Sequence, residues 1–251
     1  MGNELEARRA AEKALDVERR RMNEALARLQ PKELKHGRGQ GRLIFALDLT
    51  GSRAHSLKQA RIATAAMFEA IKSLGAVAVK LVYYRGSECK ASAWQDDPAV
   101  LAEAMRRLSC EAGLTQIARV LRLALDEPEP VCGVVFVGDH CEDDADELRG
   151  LAQALGRKSM PVFVFHECAD YDGRSIDAKP VFKSMAGLSG GVYVEFKPDS
   201  GAALREMLSS IGALAAAGLE GVNSVALPET PAARELQGQL RLLAPARRPS
   251  R

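Results

Sequence analysis

The run LIFALDLTGS at residues 43–52 ends an apolar stretch on three oxygen-bearing side chains, Asp48, Thr50 and Ser52. A carboxylate and two hydroxyls so close together suit three tasks: capping a helix, holding a phosphate or holding a metal ion. Two further oxygen donors stand at comparable places. Thr115 follows Gly113 and Leu114, and Asp139 closes the apolar run GVVFVGD at 133–139. Hydroxyl and carboxylate oxygens are hard donors, which favour Mg²⁺, Mn²⁺ or Ca²⁺ over softer metals. Each residue also has an ordinary structural use: Ser52 and Thr115 can cap helices, and Asp139 can sit in a turn.

The elements around these residues decide whether they meet. From Leu43 the chain alternates apolar strands with amphipathic helices, the pattern of an α/β domain with a mostly parallel sheet and helices on both faces. LIFALD is apolar throughout, as a strand covered on both sides must be. A helix is expected over 56–74, then strands at 77–86 and 89–94. Their short connection leaves no room for a crossover and predicts an antiparallel hairpin. Helices follow from Pro98 to about Leu108 and over 113–125, with Thr115 opening the second. The strand 133–139 comes next, then a helix starting at Asp143 and Asp144, where negative charge suits the helix dipole. A strand at 161–167, a helix near 176–188, a strand at 192–196 and a helix near 200–217 complete the domain. In open sheets of this kind ligands bind beyond the carboxyl ends of the strands, where strand order reverses. The first strand sits there, with 133–139 as its expected neighbour, so Asp48 and Asp139 should project from adjacent strand ends.

Asp48-Leu49-Thr50-Gly51-Ser52, then Thr115 after a glycine, then Asp139 at a strand end resemble a von Willebrand factor A (VWA) domain with its metal-ion-dependent adhesion site. The resemblance covers about residues 41–220. It implies a three-layer, doubly wound, six-stranded sheet of order 3-2-1-4-5-6 with strand 3 antiparallel. It implies Mg²⁺ (or Mn²⁺ or Ca²⁺) held by Asp48, Thr50, Ser52, Thr115 and Asp139. Thr50 and Ser52 would ligate directly, Thr115 directly or through water, and the two aspartates largely through bound waters. Thr50 stands where the family has serine, which keeps the donor oxygen. Asp139 sits in VGDHCEDD rather than the commoner Thr-Asp-Gly. The implied work is docking a partner protein's carboxylate at the ion, not catalysis. Intracellular prokaryotic members of the family operate beside AAA+ ATPases, which suggests such an ATPase or its client as partner.

Other sites fit less well. A haloacid-dehalogenase-type phosphatase needs a second acid two residues after the first, where Thr50 stands, so the proton-transfer group is missing. No G-x-x-x-x-G-K-[ST] string occurs, and the glycine-rich stretch at 37–42 precedes a strand instead of following one. A dinucleotide site would need glycines where Thr50 and Ser52 stand. His140, Cys141, His166 and Cys168 flank two strand ends and are suitable types for zinc, though without zinc-like spacing. Two alternatives to metal-dependent docking remain open at this point: a metal-dependent phosphohydrolase using the same crevice, and a scaffold binding through its N-terminal helix.

Residues 1–36 read as a charged helix, over 4–29, and a linker; 37–221 form the VWA-like domain, and 222–251 read as a largely disordered basic, proline-containing tail. With 35 basic and 33 acidic residues the net charge is +2, which gives no general attraction to nucleic acid or anionic membranes. Five scattered cysteines without a C-x-x-C pair and a charged N-terminus point to a reducing, cytoplasmic setting.

Overall fold

In the computed structural model the described residues are 41–55, 57, 61, 77–168, 173–196, 208 and 211. Strand β1 (Gly41–Asp48) leads into a short 3₁₀ turn (Gly51–His55). Strands β2 (Val77–Arg85) and β3 (Glu88–Ala91) form a hairpin. Helices α1 (Pro98–Arg107) and α2 (Ile117–Leu125) precede β4 (Gly133–Gly138). Helix α3 (Ala145–Arg157), β5 (Val162–Glu167), α4 (Gly173–Ser189) and β6 (Tyr193–Phe196) follow. The strands make one sheet of order β3-β2-β1-β4-β5-β6. All neighbours are parallel except β2 and β3, as the short connection required. That connection turns at Gly86, whose φ of 50° is a left-handed conformation that glycine adopts without a Cβ penalty.

Successive strand side chains point to opposite faces, so an all-apolar strand feeds two cores. Phe45, Leu47, Val135 and Val137 enter one cluster with Leu101 and Met105 of α1. Ile44, Ala46, Val134 and Phe136 enter the other with residues of α2, α3 and α4, among them Leu121, Leu155 and Phe182. Leu57, Leu208 and Ile211 are helical and buried in the first cluster. Nearly all of the helices expected at 56–74 and 200–217 otherwise lies outside the described residues. So do the N-terminal helix and linker before residue 41 and the tail beyond 221.

Most boundaries lie within one to three residues of expectation, and two differences bear on the site. The third strand ends at Ala91 rather than Trp94, because the Leu81 amide donates to Ser92 Oγ (3.0 Å) instead of a backbone carbonyl, and pairing with β2 resumes only as an isolated bridge between Val79 and Gln95. Helix α2 starts at Ile117, with Gln116 as N-cap, so Thr115 lies in the preceding loop and does not open the helix.

Candidate metal centre

Five segments reach the rim formed by the carboxyl ends of the parallel strands. Leu47 of β1 is registered with Val137 of β4, which sets Asp48 beside Gly138 and next to Asp139. Gly138 is required there: a Cβ would lie 2.6 Å from Phe136 Cζ and 3.4 Å from Asp48 Cβ. The chain beyond β1 is held by Leu49, whose amide donates to Tyr84 O (3.0 Å) and whose carbonyl accepts from Glu111 N (2.9 Å). Asp48 Oδ1 accepts from the Thr50 amide at 2.8 Å, a local turn that directs the Thr50 side chain back over the strand end. Thr50 Oγ1 and Ser52 Oγ lie 3.2 Å apart. Ser52 faces solvent, whereas Asp48, Thr50 and Asp139 are buried.

The second oxygen of Asp48, Oδ2, is buried and makes no hydrogen bond of ordinary length among the described residues, although the equally unpartnered hydroxyl of Tyr84 lies near this carboxylate. Such an oxygen costs stability unless something satisfies it. Burial first, and then the charge of Asp139, push the Asp48 carboxyl up to about 6, against the opposing pull of the Thr50 hydrogen bonds and Arg53. Burial acts the same way on Asp139. There it is outweighed by His140, whose Nδ1 lies 2.8 Å from Asp139 Oδ2, and by the positive charge of Arg53, so this carboxyl is held below the usual range. Two close carboxylates of opposite shift make a site of concentrated negative potential.

Thr115 reaches the same rim but is tied to another loop. Its hydroxyl accepts from Glu142 N (2.8 Å) and donates to Asp143 Oδ2 (2.7 Å), while its amide donates to Glu142 Oε2 (2.8 Å). A hydroxyl has one donor and two lone pairs, so one lone pair of Thr115 remains. Its loop is set by contact between glycines: a Cβ on Gly113 would lie 2.6 Å from Gly86 Cα. Gln116 adds hydrogen bonds to Gly86 O (3.1 Å) and Glu88 O (3.3 Å).

Asp143 differs from its expected place in a solvated helix start. Asp144 is the N-cap of α3, accepting from Glu147 N. Asp143 instead accepts from the amides of Ile117 (3.0 Å) and Ala118 (2.9 Å) and so caps α2 from a distant loop. The grouping of His140, Cys141, His166 and Cys168 as zinc ligands is not what the fold makes. The ring of His166 is committed on both sides, with Nδ1 2.7 Å from Tyr193 Oη and Nε2 3.2 Å from Asp139 O. Among the described residues no group of three or more His, Cys, Asp or Glu is arranged to hold a metal ion. A cation here would depend on hydroxyls as well as the two carboxylates.

One buried pair at the rim escaped the sequence. Arg53 and Glu167 form a buried ion pair, with side chains 1% and 3% exposed. They stand 114 residues apart, and no local pattern links them.

No protein-family model matches the sequence, and no curated protein is significantly similar to it. Solved structures do match the fold. BatB from Bacteroides thetaiotaomicron matches with a TM-score of 0.54 at 16% identity, over 67% of this chain and 95% of that one. The VWA domain of SpRpn10 matches at 0.53 and 13%, over 74% and 100%. The pilus adhesin SpaC from Lactobacillus rhamnosus GG matches at 0.57 and 11%, over 70% of this chain and 31% of that chain. With the strand order, these likenesses define the chain as having a VWA-like α/β fold.

Proposed function

We propose that the rim holds a divalent cation, Mg²⁺ (or Mn²⁺ or Ca²⁺), and serves as a docking site for a carboxylate of a partner protein. Thr50 and Ser52 would bind the ion directly. Thr115 would offer its remaining lone pair, and Asp48 and Asp139 would bind largely through ordered water. The ion supplies a positive centre that a partner's acid can approach from the solvent side, where Ser52 lies.

The observation that carries this reading is the buried, unpartnered Oδ2 of Asp48 beside two converging hydroxyls. Their separation of 3.2 Å is close to the ~3.0 Å between neighbouring oxygens around an octahedral ion bound at 2.0–2.1 Å. The donor set is hard throughout, which favours these ions over zinc. With two carboxylates and neutral hydroxyls, a divalent ion keeps attraction for one more anion. A VWA-like fold suits such binding, and an AAA+ ATPase or its client is the partner class proposed, on the family resemblance.

Calorimetric titration of Mg²⁺ or Mn²⁺ into the protein and into Asp48→Ala tests the site. Heat is expected from the first and none from the second; equal heats end the proposal. Mg²⁺-stimulated hydrolysis of a simple phosphomonoester by the purified protein, lost in Asp48→Ala, would replace docking with catalysis.

A further inference from the structure

The Arg53–Glu167 pair lies in the floor of this rim. Arg53 follows Ser52 directly, and its amide donates to Thr50 O at 3.1 Å. Glu167 ends β5, and β4 lies between β1 and β5 in the sheet. To reach Glu167 from the turn beyond β1, the Arg53 side chain has to cross the end of β4, a distance of two strand spacings or about 9–10 Å. Asp139 stands at that crossing, because Gly138 is registered with His166 and the following residue therefore faces Glu167. The influence of the Arg53 charge on both aspartates agrees with this placement.

A fully buried ion pair is a poor source of stability. Desolvating both groups costs about as much as their attraction returns, and an apolar pair of similar volume often does better. The strand interiors around this pair are filled with Leu, Val and Phe, so hydrophobic packing is the local norm. An ion pair offers what packing does not: a long cation aimed at one defined partner, and so a defined direction. Ser52 needs such direction, since it is exposed and sits in a five-residue 3₁₀ turn.

We propose that the Arg53–Glu167 ion pair is a strap that pins the Thr50–Arg53 turn across the end of β4, and so positions the hydroxyls of Thr50 and Ser52 over Asp139. Arg53 and Glu167 are positioning residues that do not touch the ion. The strap rests on the metal-docking reading for its purpose, but its mechanical action is independent of whether metal binds.

The test uses the full chain with Arg53→Met and Glu167→Leu combined, which replaces both charges and leaves neither partner buried alone. The double variant should fold and bind Mg²⁺ at least about tenfold more weakly by calorimetry, the usual scale for losing a supporting residue of a metal site. The backbone amide at position 53, corrected for the intrinsic rate of the new residue, should exchange hydrogen faster in the metal-free variant, while amides of β4 stay protected. Arg53→Lys, which keeps a cation for Glu167, should restore most of both properties. Unchanged or tighter Mg²⁺ affinity in the double variant overturns the strap, and so does unchanged exchange at position 53. If the unmodified protein binds no Mg²⁺, the docking proposal fails and the exchange measurement alone decides the strap. If the double variant fails to fold, Arg53→Lys and Glu167→Asp decide by the same two measurements, both expected to lose less than about tenfold in affinity. A loss of tenfold or more in a folded Arg53→Lys overturns the strap.

Discussion

At Asp48 a proton and a divalent cation compete for the same carboxylate. Its pKa of about 6 means that Mg²⁺ affinity should hold above neutrality and fall by up to about tenfold per pH unit below about 6. Binding near pH 6 should release protons, which calorimetry in two buffers of different ionisation enthalpy measures directly. The effect on stability has a definite sign. Because the folded pKa lies above the ordinary aspartate value of 3.8, the stabilising contribution of Asp48 in metal-free protein is complete below about 4. It is lost as pH rises through about 6. Asp139 acts oppositely, and its contribution is lost only as pH falls through its lowered value. Mg²⁺ should therefore raise the thermal midpoint more at about pH 7.5 than at about pH 5. An equal increase at both would remove Asp48 from the site.

The loops at the rim depend on contacts between elements. Asp143 receives hydrogen bonds from Thr115 Oγ1 and from two amides at the start of α2, and Gln116 provides no side-chain cap of its own. Asp143→Ala should cost about 1–2 kcal/mol by denaturant unfolding, the range for losing an N-cap. It should also weaken Mg²⁺ binding, because it loosens Thr115. Asp143→Asn, which keeps an acceptor, should recover part of the stability. Gly113→Ala places a methyl carbon against the Gly86 backbone, where nothing flexible can yield. A loss of about 1–3 kcal/mol is expected, together with weaker Mg²⁺ binding, since the loop carrying Thr115 cannot close on the hairpin. Unchanged affinity in both variants would mean that Thr115 plays no part in the metal site.

Across the whole molecule, the sheet is held by apolar side chains on both faces. Phe182 of α4 is fully buried and packs edge-on against Phe136 and His166, with centroids 5.6 and 4.9 Å away. Phe182→Ala should cost about 3–5 kcal/mol, measured as a shift in urea midpoint at constant slope. Leu114 is 68% exposed on the rim, and Leu114→Ser should change stability by no more than about 0.5 kcal/mol. No helix among the described residues is long and apolar enough to cross a membrane.

What the amino-acid order determines by itself is local or periodic. Continuous apolar runs announce buried parallel strands, and a gap of two residues between the runs 77–86 and 89–94 permits only a hairpin. The 3-2-1-4-5-6 sheet order followed from resemblance, together with the alternation of strands and helices. The nearness of Asp48, Thr50 and Ser52 was legible because a single turn gathers them, and the place of Asp139 because it follows the strand expected beside β1. What the tertiary structure alone decided is which distant partner each side chain meets. Thr115 turns to Glu142 and Asp143, Asp143 caps a helix other than its own, and His166 gives its ring to Tyr193 and the Asp139 carbonyl. Arg53 crosses a strand to reach Glu167. These pairings arise from sheet register and loop packing, and neither leaves a mark in the neighbouring sequence: an arginine reads the same whether water or a buried glutamate receives it.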